Sequence, residues 1–264
     1  MEYETLIVEV ADSIGRITFN RPEQLNAYSE KMSLELVRAV KDLSENPAAR
    51  VVVITGNGKA FMAGADINML KVWSDAPEPA PLVEETLARF FSPNLLEQCP
   101  KPVIAAVNGL AFGMGCEIAM GCDIRIASQY AKFAQPEVNI AVITGAGGSQ
   151  RLPRLVGYGK AVEMILTGDP IEAEEALQIG LVTQMVPGDQ LEEAVAATVK
   201  KLLKKSDTAL RLQKEALLLA NTCGLYDGIA QELKIFASIF ESANAKEGIN
   251  AFLEKRRPNY SQKT

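Results

Sequence analysis

The chain has 264 residues, of which 48% are hydrophobic and 23% are charged, and its formal net charge is −6. This length fits one large domain or a domain with an added subdomain, and the apolar fraction supports a buried core. The acidic balance disfavours a nucleic-acid surface, which needs clustered cations. The chain contains no histidine. This absence excludes Ser-His-Asp triads and imidazole-bound zinc, so acid–base chemistry falls to Glu, Asp, Lys, Cys or Tyr.

The cysteines and the amino terminus bear on cellular location. No two cysteines form a C-x-x-C pair, so a metal knuckle or a redox dithiol is not indicated. The first residues, MEYETLIVEV, lack the basic region of a signal peptide, and no apolar run approaches the roughly 18 residues that span a bilayer. We predict a cytoplasmic protein with free thiols and no membrane association, although a processed organellar protein would look the same. The cysteines are Cys99, Cys116, Cys122 and Cys223.

The first hundred residues alternate apolar runs typical of strands with patterns typical of helices. The run VVVIT is wholly apolar, as in a strand that is buried on both faces. Ser29 is a suitable cap for the first helix. The predicted elements are strands at 6–10, 14–19 and 51–55, helices at 30–44 and 82–98, and a Pro/Ala-rich loop at 73–81.

The second part repeats a strand, a glycine-rich turn and a short helix. This rhythm predicts an α/β fold with parallel strands and right-handed crossovers over residues 1–187, followed by a helical region at 188–264. The predicted strands are at 102–107, 123–127 and 181–186, and helices dominate from about 190 to 255.

Two glycine-rich turns could hold a ligand. Neither fits the dinucleotide pattern G-x-G-x-x-G, because Ile118 and Gln150 occupy the third glycine positions, and no phosphate-binding G-x-x-x-x-G-K-[ST] occurs. Backbone N–H groups at a helix start are unpaired and carry partial positive charge. Ala65 and Met114 stand at two such starts, so their N–H groups could form an oxyanion hole.

Two glutamates stand out as candidate acid–base groups. Glu117 follows Met114 by three residues on the same helix face, among apolar neighbours that would make an unpaired charge costly. Glu137 follows Pro136 and precedes a largely apolar run. A solvent-facing charge is the alternative for each glutamate. Asp66 has the alternative of a helix N-cap, and residues 145–148 that of a simple tight turn.

Several segments in this order resemble the enoyl-CoA hydratase, or crotonase, superfamily over nearly the whole chain. The resemblance implies a crotonase-like spiral of repeated strand-strand-helix turns, with a helical C-terminal region that is used for trimerisation. It also implies a homotrimer or a dimer of trimers. The matching segments are FNRPEQLNA (19–27), AFMAGADI (60–67), KPVIAAVNG (101–109), GCEIAMGCDIRIA (115–127), QPE (135–137), GAGGSQRL (145–152), LTGDPI (166–171), GLV (180–182) and EGINAFLEKR (247–256).

The resemblance implies a hydro-lyase that adds water across the 2,3 double bond of an enoyl-CoA to give 3-hydroxyacyl-CoA. Glu117 would activate the water and Glu137 would deliver a proton, while the N–H group of Gly145 would help to orient the water. The N–H groups of Ala65 and Met114 would bind the thioester oxygen. No metal or other cofactor is implied, since coenzyme A is part of the substrate. The residues implied to contact coenzyme A are Lys59, Ala63 and Asp66, with Phe236, Phe252 and Lys255 reaching a neighbouring subunit's ligand.

The acyl specificity stays open at this stage. Met114 stands where most hydratases have glycine, and its side chain could reshape the acyl pocket. Alternatives within the family are a hydratase of a cyclic enoyl-CoA, such as cyclohexene-carbonyl-CoA, or an enoyl-CoA isomerase. Retention of both glutamates favours hydration, because an isomerase needs only one carboxylate. RNA binding, which some family members carry out, is disfavoured by the acidic charge. Further departures from the family pattern are Thr144, Ala141, Glu23 and Asn68.

Overall fold

Two β-sheets form the frame of the computed structural model, which describes residues 3–260. The larger sheet contains, in spatial order, β1 (Leu6–Ala11), β2 (Ile14–Phe19), β3 (Val51–Gly56), β5 (Val103–Val107), β7 (Ile124–Ser128) and β10 (Gln184–Val186). The smaller sheet contains β4 (Ala60–Met62), β6 (Leu110–Phe112), β8 (Lys132–Ala134) and β9 (Ile171–Glu172).

The connections between the sheets make a spiral. Each of β3, β5 and β7 lies in the larger sheet and is followed directly by a strand of the smaller sheet. Helices lead from β4 and β6 back to the larger sheet, whereas the chain after β8 passes through β9 before it returns at β10. All neighbours in the larger sheet are parallel except the β1–β2 hairpin, and β4, β6 and β8 are also parallel. This arrangement confirms the predicted α/β spiral of strand-strand-helix turns.

Helices surround the two sheets and account for most of the second half of the chain. Serine side chains cap three of them, because Ser29, Ser206 and Ser242 each accept a hydrogen bond from a first-turn N–H group. The helices are α1 (Glu30–Glu45), α2 (Ile67–Ser74), α3 (Pro79–Arg89), α4 (Asn94–Glu97), α5 (Met114–Gly121), α6 (Gly148–Val156), α7 (Tyr158–Thr167), α8 (Ala173–Gln178), α9 (Leu191–Leu202), α10 (Asp207–Thr222), α11 (Leu225–Ile239) and α12 (Ala243–Leu253).

The parallel strands β3 and β5 have helices or sheet on both faces, and every residue of β5 is buried. One face belongs to the main core. On the other face, Val53 and Ile104 pack in a second cluster with Val195 and Val199 of α9. Helix α9 therefore packs against the sheet although it lies beyond residue 187. The division of the chain at 187/188 stays a prediction. The last four residues of the predicted helical region, 261–264, lie outside the described residues.

The predicted helix at 82–98 is wrong, because two helices separated by an extended segment occupy this range. Pro93 lacks an N–H group and disfavours helical backbone at the residue before it. The extended segment is also fixed by tertiary bonds, since Phe91 donates its N–H to Ser33 Oγ at 2.7 Å and accepts from Tyr28 Oη at 3.1 Å. Burial of Phe90 and Phe91 stabilises this break.

Two further predicted elements differ in extent. The Pro/Ala-rich loop at 73–81 is wrong in its length, since α2 continues through Ser74 and α3 begins at Pro79. Proline is compatible with the first helical position, where no N–H partner is needed. The predicted strand at 181–186 is shorter in the structure, because pairing with β7 starts only at Gln184.

The C-terminal region is helical, as predicted, and α11 is attached mainly through α10. Five apolar side chains of α11 recur at helical spacing and are all exposed, so they form an α11 stripe on the surface of the single chain. Within residues 3–260, no helix is long and apolar enough to cross a membrane. The predicted cytoplasmic location stays a prediction. The α11 stripe consists of Leu225, Ile229, Leu233, Phe236 and Phe240.

Candidate active site

The turn between β6 and α5 places an unpaired N–H group at a helix start. Gly113 has a φ of +50°, which few residues other than glycine adopt, and it donates its N–H to Ala134 O at 3.0 Å. Met114 is the first residue of α5, and its N–H group has no acceptor among the described residues. A ligand oxygen could therefore accept this hydrogen bond.

A second unpaired N–H group lies in the loop before α2. The backbone of Tyr28 binds this loop on both sides of Ala65. Its N–H donates to Gly64 O at 2.8 Å, and its carbonyl oxygen accepts from Asp66 N–H at 2.8 Å. The N–H of Ala65 between them has no acceptor in the described part of the chain. The two loops touch, since a Cβ on Gly113 would lie 3.7 Å from Gly64 Cα. The predicted pair of donors is thus supplied by two adjacent loops.

Glu117 lies in the first turn of α5 and is only 2% exposed. Its Oε1 accepts hydrogen bonds from the N–H groups of Ala146 at 2.9 Å and Gly148 at 2.7 Å, while its Oε2 has no partner in residues 3–260. Burial raises the pKa of the carboxyl, and the two N–H groups and the Arg151 charge lower it, leaving a net increase. One oxygen is therefore fixed and the other is available to a ligand.

Glu137 lies in a short helical turn after β8, and its carboxyl is held less tightly. Its Oε2 is buried and has no hydrogen-bond partner within the described residues. Burial, opposed by a hydrogen bond from its own backbone N–H and assisted by the nearby charge of Glu117, raises the pKa of this carboxyl to about 7. Close to neutral pH this group can therefore carry a proton, which Glu117 is less able to do because two N–H groups stabilise its anion.

The two glutamates lie close together, since the charge of Glu117 acts on the carboxyl of Glu137. Glu137 Oε1 lies 2.9 Å from the position that a Cβ on Gly113 would occupy. Gly113 O accepts the N–H of Glu117 at 2.9 Å, so the backbone of Glu117 and the carboxyl of Glu137 meet at Gly113, next to Met114. The surface-charge alternative is wrong for Glu117, which is buried, and Glu137 is half-buried.

The turn at 145–148 holds Glu117 through groups that the sequence did not single out. The sequence suggested Gly145, whose N–H has no acceptor among the described residues, whereas the donors to Glu117 are Ala146 and Gly148. Gly148 is the first residue of α6, and the N–H groups at a helix start bind anions. A predicted helix start at Gly148 could therefore have indicated a partner for the Glu117 carboxylate. The role of Gly145 in orienting water stays a prediction.

Asp66 has the structural role that was weighed as its alternative. It accepts from Asn68 N–H at 3.1 Å as the cap of α2, and it pairs with Arg21 at 2.9 Å. Burial raises the pKa of Asp66, but the hydrogen bonds from Arg21 and Asn68 outweigh burial and lower it. Asp66 therefore fixes the loop that carries Ala65, and its predicted contact with coenzyme A stays a prediction.

The other residues predicted to bind coenzyme A lie at two places. Lys59 is exposed before β4, and Ala63 is half-buried after it, next to the Ala65 loop. Phe236 is 62% exposed on α11 and Phe252 is 83% exposed on α12, with Lys255 just beyond. These three residues lie in the C-terminal region outside the spiral, and their roles stay predictions.

The spiral of two sheets, the two unpaired N–H groups and the paired glutamates define a crotonase-type site. The family model for enoyl-CoA hydratase/isomerase matches residues 9–263. This chain belongs to that family.

Individual relatives are similar over their full length. A probable enoyl-CoA hydratase of Mycobacterium tuberculosis is 40% identical, and the crotonyl-CoA hydratase of Syntrophomonas wolfei is 41% identical, each covering 100% of both chains. Among solved structures, the enoyl-CoA hydratase of Bacillus anthracis is 36% identical with a TM-score of 0.89, covering 98% of this chain and 100% of that one. A Geobacillus kaustophilus structure described as subunit I of an enoyl-CoA hydratase has a TM-score of 0.92, with 40% identity and full coverage of both chains.

Proposed function

We propose that this protein is an enoyl-CoA hydratase that adds water across the 2,3 double bond of an enoyl-CoA to give 3-hydroxyacyl-CoA. The observation that carries the proposal is the pair of glutamates beside Gly113, one held by two N–H groups and one with a pKa of about 7. The names of the relatives support the same reaction.

The N–H groups of Ala65 and Met114 bind the thioester oxygen in this mechanism. When water adds to the β-carbon, negative charge develops on that oxygen, and fixed N–H donors stabilise it without reorganising. One such donor typically contributes about 3 kcal/mol to barrier lowering. Because both donors are backbone groups, the Met114 side chain is not required for this interaction.

The two glutamates move the protons. Glu117 takes a proton from the attacking water through its free Oε2 while Oε1 stays bound to the turn, and the water oxygen bonds to the β-carbon. Glu137, protonated near neutral pH, gives its proton to the α-carbon. Glu117 ends protonated and Glu137 ionised, so a proton must return from Glu117 to Glu137 before the next turnover. Addition of water involves no net redox change, so the proposal includes no redox cofactor, and no step uses a metal ion.

We infer a linear, short-chain enoyl group as the substrate. The side chain of Met114 is only 7% exposed and belongs to the main core, so its size does not favour a cyclic substrate. The isomerase alternative requires only one carboxylate, whereas both glutamates are positioned here. The segment around Ala65 also contains Lys59, Ala63 and Asp66, and this closeness along the chain supports coenzyme A binding at this loop.

The active form is proposed to be a homo-oligomer, either a trimer or a dimer of trimers. The α11 stripe exposes large apolar side chains at helical spacing, and exposed apolar patches of this kind mark protein interaction sites. Its member Phe236, together with Phe252 and Lys255, would then contact coenzyme A in a neighbouring subunit.

Crotonyl-CoA is the substrate that tests the proposal, because hydration removes the absorbance of its conjugated double bond. We expect the purified protein to consume it and to form 3-hydroxybutyryl-CoA. Cyclohexene-carbonyl-CoA and a 3-enoyl-CoA serve as parallel substrates. Turnover of either of these with crotonyl-CoA untouched would replace the proposal with the corresponding alternative. The double variant Glu117→Gln/Glu137→Gln is the control for uncatalysed hydration.

A further inference from the structure

Arg151 of α6 connects this helix to α4 and to the 145–148 turn that holds Glu117. Its guanidinium binds Glu97 of α4 through Nε at 2.8 Å and Nη2 at 3.1 Å, and Nη2 also contacts Asn94 Oδ1. Its Nη1 donates to Ala146 O at 2.8 Å. The side chain is only 13% exposed, so these bonds are shielded from water.

Ala146 is thereby bound at both of its backbone groups. Its N–H donates to Glu117 Oε1 and its carbonyl oxygen accepts from Arg151. The guanidinium fits tightly under the turn, because a Cβ on Gly147 would lie 2.1 Å from Arg151 Nη1. A change in the position of Arg151 would therefore move the two N–H groups that orient Glu117.

We propose that Arg151 is a positioning residue for the reaction, which fixes the 146–148 turn so that Ala146 and Gly148 hold Glu117 in place. This inference rests on the proposed function only for its effect on turnover. The orientation of Glu117 itself is a property of the free protein.

A guanidinium has the shape that this position requires. Its planar fork binds the Glu97 carboxylate with two nitrogens and still presents a third to Ala146 O. A lysine has a single ammonium on a flexible stem and cannot occupy all three places. The positive charge has a second effect, because it lowers the pKa of Glu117 against the influence of burial.

Two substitutions separate position from charge. Arg151→Gln removes both, so we expect kcat for hydration to fall roughly 100-fold, as for a displaced catalytic group, with KM within about twofold. The limb of the pH profile that reports Glu117 ionisation moves to higher pH, because the lost cation no longer favours the anion. Arg151→Lys keeps the charge but cannot hold the turn, so kcat falls. The limb then moves to higher pH by less than in Arg151→Gln, because only the hydrogen bonds from Ala146 and Gly148 are weakened.

Arg154→Gln is the matched control. Arg154 lies one helical turn further along α6 and is exposed, and in the described part of the chain its side chain donates a hydrogen bond only to Gln150 O. We expect its kcat, KM and pH profile to equal those of the wild type. Unchanged kcat in Arg151→Gln, or an equal loss in Arg154→Gln, would overturn the proposal.

A readout without substrate keeps this test separate from the hydratase assignment. Carbon-13 NMR of the glutamate carboxyls, with the Glu117 signal assigned by its loss in Glu117→Gln, reports the pKa of Glu117 directly. If Arg151→Lys raises that pKa although the charge is kept, while the wild type fails to hydrate crotonyl-CoA, the positioning role stands and the proposed function falls. If the wild type is active and neither the carboxyl titration nor kcat changes in the variant, the positioning role falls.

Chemical rescue offers a further measurement. Arg151 borders a cavity of about 470 Å³ that Gly145, Asn221 and Thr222 also line, so a small cation can reach the site. Guanidinium chloride at millimolar concentration should restore part of the kcat of Arg151→Gly, whereas the same concentration of sodium chloride should not. Equal responses to the two salts would count against a specific guanidinium position.

Discussion

At the scale of single residues, the two glutamates differ because their oxygens have different neighbours. Glu117 Oε1 accepts hydrogen bonds from two backbone N–H groups, whereas Glu137 Oε2 is buried with no partner between residues 3 and 260. Hydrogen bonds to the anion favour ionisation, and burial without them favours the protonated form. The base and the acid of the proposed reaction are therefore distinguished by local hydrogen bonding.

Glu117→Gln tests the assignment of the base. The amide oxygen can still accept from Ala146 and Gly148, so we expect the fold to be kept, but the side chain can no longer take a proton from water. The kcat for crotonyl-CoA hydration should fall at least about 100-fold, with a small change in KM. Thermal unfolding provides the control for stability. A variant with kcat near that of the wild type would assign the base elsewhere.

Glu137 makes both activity and stability depend on pH. Its pKa is raised from 4.5 to about 7 in the folded chain, so the folded state binds an extra proton between these values. Stability from this group is therefore present below pH 4.5 and is lost as the pH rises through 7. Removing the charge with Glu137→Gln should increase the free energy of unfolding at pH 8 by about 1–3 kcal/mol, after allowance for partial exposure.

Urea unfolding at pH 5 and pH 8 measures this effect for the wild type and the variant. The wild type should lose more stability between the two pH values than Glu137→Gln does. Its kcat should also decline above pH 7, where Glu137 ionises. If the stability of both proteins changed equally with pH, the pKa of Glu137 would not be raised. The proton donor of the proposed reaction would then have to be another group.

At the scale of elements, the start of α6 approaches Glu117 so closely that only glycine fits. A Cβ on Gly148 would lie 2.5 Å from Gln135 Oε1 and 3.0 Å from Glu117 Oε1. Both side chains are buried, so neither can move away freely. The glycine is thus needed for the close approach of a helix start to a buried carboxylate.

Gly148→Ala should therefore displace Glu117, lowering kcat more than it changes KM and destabilising the fold by about 1–3 kcal/mol. Gly159→Ala is the control, because a Cβ there meets nothing within 4 Å and the residue lies in α7. That control should leave kcat unchanged and slightly increase stability, as alanine favours helix. Steady-state kinetics and urea unfolding measure both effects. Wild-type kinetics in Gly148→Ala would mean that the turn tolerates movement.

The sequence predicted those elements whose signals are local. The apolar run of β3, the Ser29 cap of α1 and the three-residue spacing from Met114 to Glu117 each depend on neighbours along the chain. The break at Phe90–Pro93 had a local signal in Pro93, but its extended form also depends on Ser33 and Tyr28, which are about sixty residues away.

The site follows the same rule. The resemblance to a known family placed Glu117 and Glu137, and the helix start explained the Met114 N–H. The donors to Glu117 come from a turn 29 and 31 residues away, and Arg151 binds α4 across 54 residues. Such contacts depend on tertiary packing, which no short window of sequence specifies.

At the scale of the whole molecule, the single chain leaves the α11 stripe uncovered. Leu233 and Phe236 are 63% and 62% exposed, and the stripe continues along four turns of the helix. Burial of such surface against a second copy would contribute about 25 cal/mol for each Å² removed from water. The C-terminal region therefore fits an interface between copies of this chain, as the proposed oligomer requires.

Leu233→Glu places a charge in the middle of the stripe and should shift the protein from oligomer to monomer in analytical ultracentrifugation, because burying an unpaired charge is costly. Ser238→Glu is the control, since it adds the same charge at an exposed position of α11 outside the stripe.

The kinetics of the same variant connect assembly to the site. If Phe236, Phe252 and Lys255 contact coenzyme A in a neighbouring subunit, the monomer loses those contacts while Glu117 and Glu137 remain in place within each chain. Monomeric Leu233→Glu should then show a KM for crotonyl-CoA raised about tenfold, equivalent to about 1.4 kcal/mol of binding, with a smaller change in kcat. A monomer with wild-type KM would place the whole coenzyme A site within one chain, on the loop that carries Lys59 and Ala63.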